Sequence, residues 1–273
     1  RMGSIIKFIP HPLIVGFTSG IALIIFSSQV KDIFGLHMGE VPADFVLKWK
    51  KYFTHFGTVN QWAIIIAAGT ILVSVLFSRV TKKIPGTLIA ILLSTFAVQY
   101  FDLNVETISS RFGDIPSTLP APHFPEFDFT TIQNLIAPAF AIALLGGIES
   151  LLAAVVADGM IGGNHKSNIE LVAQGIANIV SALFGGIPAT GALARTATNV
   201  KSGGRTPVAG IVHAVMLLLI MLFFGQWAKL IPLSCLAGVL VIVAYNMSEW
   251  RSFIAVSRTS KSDAAVLLAT FFL

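Results

Sequence analysis

Charged side chains are scarce in this chain of 273 residues, where Asp, Glu, Lys and Arg together make up only 11%. Apolar side chains make up 55%, and the mean hydropathy is +0.83. A typical soluble domain carries roughly a quarter charged residues. The composition therefore excludes an ordinary soluble domain and predicts an all-α polytopic membrane protein.

Cysteine is nearly absent, since Cys235 is the single cysteine and lies in an apolar run. This excludes a disulfide framework and a cysteine metal site. The six histidines are scattered and have no metal-ligand spacing, and the sequence has no phosphate-binding loop, nucleophile elbow or paired-histidine zinc helix. We therefore expect no catalytic residues, no metal and no cofactor, and we do not expect an enzyme.

Long apolar runs dominate what is present. A membrane-spanning helix needs roughly 17 to 25 such residues. The runs of suitable length are residues 13–31, 61–78, 84–101, 132–157, 169–185, 207–225 and 230–246. Residues 189–200 are too few for a full span, and the run 263–273 stops at the end of the sequence.

The formal charge of +5 comes from basic residues at the ends of these runs, not from a continuous basic face. We therefore expect a lipid bilayer as the partner and no nucleic acid. If Arg1 and Lys7 are cytoplasmic, the acidic connection 102–131, whose only cation is Arg111, lies outside. The lysines within 48–51 break this pattern, and their aromatic neighbours suggest an interfacial segment.

The most informative run is 184–199, a stretch of small residues that is broken by glycine and proline. Pro188 cannot continue the preceding helix but suits the first turn of the next one. We therefore expect a short helix over 189–200 that begins inside the membrane, with free backbone N–H groups over 189–192. Such groups bind anions.

Two charged side chains lie within or beside apolar runs. Glu149 is costly in a bilayer, so it should be paired, protonated or beside a water-filled cavity. Its role is either proton or cation coupling, or a structural link between two helices. Arg195 either adds a fixed positive charge to the anion site or forms a salt bridge with Glu149.

Two glycine patterns predict how helices meet. Gly16 and Gly20 form a small-xxx-small pair, which allows close helix approach. In addition, Pro10 precedes Gly16 by the same spacing as Pro232 precedes Gly238, at the start of two runs of opposite predicted direction. An inverted repeat would leave this pattern.

Several long stretches resemble the sulfate permease (SulP) family of anion transporters, bacterial type. They are residues 8–20, 143–160, 167–178, 184–199, 202–210 and 243–250.

The resemblance implies a fold of seven plus seven spans in inverted repeats, divided into a gate and a core that carries the substrate. Residues 1–131 would be gate spans five to seven, 132–225 core spans eight to eleven, and 226–273 gate span twelve and part of thirteen. The first four spans, the last span and the STAS domain would lie outside this sequence. The tenth span would be a half-helix preceded by a short strand.

The resemblance also implies the anion contacts and the coupling group. The expected contacts are Thr190, Gly191, Ala192, Leu193 and Ala194, with Arg195 as the nearby charge. The partner half-site would come from the third span, which is outside this sequence. Glu149 is similar to the glutamate of proton-coupled bacterial members. Sodium-coupled members carry an aspartate and a hydroxyl residue one turn later, where this chain has Ala153, so sodium is less favoured.

These expectations describe a secondary active transporter in the cytoplasmic (plasma or inner) membrane, homodimeric in its full-length form. Its substrate would be a small anion such as sulfate, bicarbonate or a dicarboxylate, carried by proton symport. The alternatives are an uncoupled anion channel, an anion exchanger or, least favoured, a membrane enzyme.

Overall fold

The structure is a computed structural model, and it describes residues 10–272 except 82–83, 117 and 125–127. Arg1 and Lys7, whose charges set the predicted orientation, lie outside the described residues, as does Glu126 of the acidic connection. The side chain of Ala194 is not described either.

The described part of the chain is helical and contains no β-strand, and an isolated bridge joins Thr107 to Pro232. The predicted all-α fold is confirmed. A 3-10 turn, Phe56–Thr58, follows the second helix. The helices are α1 (His11–Phe34), α2 (Phe45–His55), α3 (Gln61–Val80), α4 (Gly86–Tyr100), α5 (Ile108–Phe112), α6 (Phe129–Ile161), α7 (Ser167–Leu183), α8 (Leu193–Lys201), α9 (Val208–Ala228), α10 (Leu233–Met247), α11 (Trp250–Ser257) and α12 (Lys261–Phe272).

Five segments of the described chain are long and apolar enough to cross a membrane, namely α1, α3, α6, α9 and the stretch Leu233–Ser257 that holds α10 and α11. The chain is therefore an integral, multi-pass membrane protein. The predicted spans 84–101 and 169–185 correspond to shorter helices, because α4 has 15 residues and α7 has 17.

The described residues divide into two compact units. The first unit is Thr118–Leu219 and holds α6, α7, α8 and the first half of α9. The second unit joins Pro10–Ser117 to the segment from Ile220 onward. The assignment of gate and core segments, with boundaries after residues 131 and 225, stays a prediction.

Close helix contact in the second unit depends on glycine. A Cβ atom on Gly16 of α1 would lie 2.6 Å from the carbonyl oxygen of Leu267 in α12. One on Gly20 would lie 3.2 Å from the carbonyl oxygen of Phe271. The predicted close approach at this glycine pair is confirmed.

The two proline-glycine motifs occupy matching places in the second unit. Pro10 and Pro232 are the N-caps of α1 and α10, with extended backbone at φ −72° and −67°. Gly16 contacts α12, and Gly238 contacts α3 in a similar way. A Cβ atom on Gly238 would lie 2.9 Å from the carbonyl oxygen of Ala67. This correspondence favours the inverted repeat, which itself stays a prediction.

Ion pairs tie the connection after α4 to two helix ends. Arg111 donates to Asp32 at 2.6 Å and to Glu106, and Lys229 donates to Asp114 at 2.8 Å. Partial burial opposes the charge of Arg111, but the hydrogen bonds and charges of Asp32 and Glu106 outweigh it and raise the pKa of the guanidinium. The lone cation predicted for this connection is therefore paired.

The lysines that break the charge pattern lie in α2, an amphipathic helix. Lys48 and Tyr52 are buried on one side of it, and the Tyr52 hydroxyl donates to the Ser27 carbonyl oxygen at 3.1 Å. Burial, with a smaller effect from the charge of Asp32, raises the pKa of Tyr52 to about 12. The α2 helix is therefore held against the end of α1.

The glycine contact at α12 predicts a clear effect of one added methyl group. Gly16→Ala should destabilise the full-length protein by about 1 to 3 kcal/mol, because the new Cβ atom meets backbone that cannot rotate away. Gly69→Ala in α3 is the matched control, since no atom lies within 4 Å of its added Cβ. Thermal unfolding in detergent measures both, and equal midpoints for the two variants would contradict the packing argument.

Candidate functional site

The connection between α7 and α8 is extended. After α7, Gly185 turns the chain at a φ of +71°, and residues 186–192 run without helix or strand until α8 begins at Leu193. The prediction that this helix begins at residue 189 is therefore wrong by four residues. The short strand expected before it is not formed among the described residues, and we call residues 186–192 the linker.

Side-chain amides of α7 hold the middle of the linker. The N–H group of Ala189 donates to Oδ1 of Asn178 at 2.7 Å, and its carbonyl oxygen accepts from Nδ2 of Asn178 at 2.8 Å. The Ala189 carbonyl oxygen also accepts from Nε2 of Gln174. The expectation of a free N–H group at Ala189 is therefore wrong, because Asn178 is its partner.

The linker is also held on either side of Ala189. The Ser181 hydroxyl donates to the Ile187 carbonyl oxygen at 3.1 Å, and the Thr190 hydroxyl donates to the Gly146 carbonyl oxygen of α6 at 2.8 Å. Gly191 lies so close to α6 that a Cβ atom would be 3.3 Å from Oγ of Ser150. Both α6 and α7 therefore position the linker.

The first turn of α8 has no side-chain cap from its own N-cap residue. Ala192 has extended backbone, with φ −97° and ψ 114°, and makes no side-chain cap hydrogen bond. The first intrahelical bond of the helix runs from the N–H group of Thr196 to the Ala192 carbonyl oxygen at 2.9 Å. The N–H groups before Thr196, together with the helix dipole, make this end of α8 electropositive.

A cavity of about 910 Å³ lies among α6, α7 and the linker. Its walls are mostly apolar, and Glu149, Gln174, Asn178 and Thr190 supply polar groups. Thr190 is thus the predicted anion contact that lines this cavity. Of the other predicted contacts whose side chains the structure describes, none lines the cavity, and they lie at the start of α8 or just before it: Gly191, Ala192, Leu193 and Arg195.

Glu149 and Arg195 are not brought together. Glu149 is half-buried in α6, and within the described residues it has no hydrogen bond or ion pair. Arg195 is exposed, and it too has no ion pair in the described part of the chain. The alternative in which these two side chains form a salt bridge is therefore not found in this structure.

Sequence reasoning missed four polar residues of α7 that bond to the linker or to Ser150 of α6, namely Glu170, Gln174, Asn178 and Ser181. Ser150 of α6 donates to Glu170 at 3.5 Å and to Gln174 at 3.4 Å. With Asn178 and Ser181, these α7 residues recur at intervals of four, four and three. That spacing places them on one face of a helix. A polar stripe in an otherwise apolar helix was the signal that identifies them.

Metal binding has no support in the described ranges. No group of three or more His, Cys, Asp or Glu side chains there is close enough to hold a metal ion. The arrangement offers an electropositive helix end, a cavity and the carboxylate of Glu149, which has no partner in the part of the chain that the structure describes.

Comparison with known proteins bears on the whole chain. The profile described as "Sulfate permease family" matches residues 1–270. The chain belongs to the sulfate permease family. Among its sulfate permease relatives, "Putative sulfate transporter YvdB" of Bacillus subtilis is 45% identical and aligns with 100% of this chain. "Bicarbonate transporter BicA" of Synechocystis is 32% identical, also over 100% of the chain.

The chain spans about half the length of these curated relatives, 52% of the first and 48% of the second. The solved transmembrane domain of a cyanobacterial bicarbonate transporter BicA matches 99% of this chain with a TM-score of 0.87 and 30% identity. The chain covers 68% of that domain. The described fold is therefore that of part of a sulfate permease transmembrane domain.

Proposed function

We propose that the full-length protein that contains this chain is a secondary active transporter of small anions in the cytoplasmic membrane. The observation that carries the proposal is the start of α8. The extended linker lines a cavity and leads to the N-terminus of α8, which has no side-chain cap from Ala192. Glu149 also lines this cavity, and its carboxylate has no partner among the described residues.

Electrostatics favours an anion at this place. The first-turn N–H groups of α8 have no acceptor within the helix and point beyond its N-terminal end. The helix dipole adds a partial positive charge at the same end. Arg195 lies in the same turn and is free of ion pairs within the described residues, so its guanidinium is available to a ligand. Small residues at the predicted contact positions 191 and 192 leave room for a ligand next to the backbone.

We propose sulfate, bicarbonate or a dicarboxylate as the transported anion. The two relatives above are named as a sulfate transporter and a bicarbonate transporter. Backbone N–H groups distinguish ligands mainly by charge and size, so all three anions fit the same donors. A panel of anions is therefore the right test.

Proton coupling is proposed through Glu149. A carboxylate in a largely apolar cavity is costly when charged, and a proton taken up with the anion removes that cost. Sodium is less favoured because Ala153, one turn after Glu149, is apolar and buried, and it offers no oxygen ligand.

The proposed mechanism needs parts outside this sequence. Residues 132–225 would form the core, and residues 1–131 and 226–273 would contribute to the gate. The half-site from the third span would complete the anion site, and the core would move against the gate in an inverted-repeat fold. The full-length protein would be a homodimer. On this proposal the present chain does not transport an anion by itself.

The test is uptake of labelled sulfate, bicarbonate and dicarboxylates into proteoliposomes that contain the full-length protein. Uptake should be concentrative with an inward proton gradient and should not need sodium. Flux that persists unchanged without a gradient would favour an uncoupled channel, and one-for-one dependence on internal anion would favour an exchanger. Chemical turnover of a substrate would favour the membrane enzyme.

Arg195→Ala should weaken anion binding about tenfold or more, because it removes a charge-assisted contact. Binding of the best anion of the panel to the purified full-length protein measures this effect. Arg79→Ala, which changes an exposed arginine at the end of α3, is the matched control and should leave affinity unchanged. Unaltered affinity in Arg195→Ala would leave this arginine without a binding role.

Glu149→Gln should abolish proton-driven accumulation while sparing anion exchange, because the amide is neutral at every pH and cannot carry a proton across. Uptake with and without a proton gradient, repeated over a range of external pH, measures the change. Glu40→Gln alters an exposed glutamate and should preserve coupling. If the pH dependence of Glu149→Gln matches that of the unmodified protein, Glu149 is not the coupling group.

A further inference from the structure

We infer that Asn178 is a positioning residue of the anion site, whose side-chain amide fixes the backbone at Ala189 and thereby sets where α8 begins. This inference rests on the proposed function. It assigns a role to α7, which supplies no predicted anion contact.

The contact is two-sided. Asn178 accepts from the N–H group of Ala189 at 2.7 Å and donates to its carbonyl oxygen at 2.8 Å, so one amide pairs with both polar groups of one residue. A neighbouring strand would satisfy the same two groups. In a membrane protein, backbone that leaves a helix must find such partners inside the protein.

The amide of Asn178 is itself held in place. Its Nδ2 atom also donates to the carbonyl oxygen of Gln174, at 3.0 Å, which keeps the side chain against its own helix. The Gln174 side chain donates to Ala189 as well and accepts from the Ser150 hydroxyl at 3.4 Å. Ala189 is therefore attached to a network that reaches both α7 and α6.

Displacement of Ala189 would be passed on to α8. Only Thr190 and Gly191 lie between Ala189 and the N-cap Ala192, and their contacts with Gly146 and Ser150 of α6 would have to change when the linker moves. Loss of the Asn178 contact leaves the Ala189 N–H group without its partner and its carbonyl oxygen bonded to Gln174 alone. If the N–H group finds a new partner, the linker and the start of α8 would shift.

The experiment uses the full-length protein with Asn178→Leu, which keeps the approximate size of the side chain and removes both hydrogen bonds to Ala189 as well as the one to Gln174. The first readout is hydrogen-deuterium exchange of the peptide that covers the linker. Exchange at Ala189 should become about tenfold faster, as expected for the loss of a hydrogen bond. Asn134→Leu, at an exposed position of α6, is the matched control and should leave this peptide unchanged.

The second readout is transport of the best anion of the panel. Asn178→Leu should raise KM about tenfold with a smaller change in maximal rate, because the donors are displaced from the anion. Asn178→Gln keeps a donor and an acceptor on a longer side chain, and it should restore part of the affinity. A purely structural asparagine would lower the unfolding midpoint and leave KM unchanged.

The outcomes separate the two proposals. If the unmodified protein transports anions and Asn178→Leu leaves KM or Ala189 exchange unchanged, the positioning role is wrong. If Asn178→Leu does not fold, Gln174→Met decides by the same readouts, since it removes one donor to Ala189 and should give a smaller rise in KM. If the unmodified protein moves no anion of the panel, the proposed function fails, and the positioning role fails with it.

Discussion

The need to satisfy backbone hydrogen bonds away from water governs the first unit of this protein. A chain that leaves a helix inside a membrane exposes N–H and carbonyl groups that lipid cannot pair. Residues 186–192 follow α7 without forming a helix or strand, and α7 supplies partners for their backbone through Gln174, Asn178 and Ser181. The polar stripe of α7 meets this requirement, and on our proposal the late start of α8 follows from it.

Local rules were sufficient for much of the fold. Apolar run lengths predicted the membrane helices, and α1 and α3 begin within two residues of the expected runs. The Gly16 and Gly20 pair predicted a close contact because glycine spacing on a helix is a local property, and α12 is the partner. Glycine and proline in 184–199 predicted the break between α7 and α8 for the same reason.

Other features depend on partners that are distant in sequence. Pro188 permits a helix to begin, but Asn178 pairs with Ala189 and keeps the chain extended to Ala192. Opposite charges suggested a bond between Glu149 and Arg195, yet a bond needs the two helices in a particular orientation. Residue types show that the two side chains have opposite charges. Whether the charges meet depends on how α6 and α8 are oriented, which is a property of the tertiary structure. The role of α7 could not be predicted from pairs of side chains, because its side-chain amides bond to backbone groups of the linker.

The contact between Asn178 and Ala189 involves only the backbone of Ala189. Asn178 binds the backbone of Ala189 and not its methyl group. The residue that shapes the linker therefore lies eleven positions earlier in the sequence, in α7. The side chain of Ala189 is therefore not needed for this contact, whereas Thr190 and Gly191 contact α6 through their own side chain or lack of one. Substitution of Ala189 can therefore change the side chain at this position of the linker while the path of the backbone stays the same.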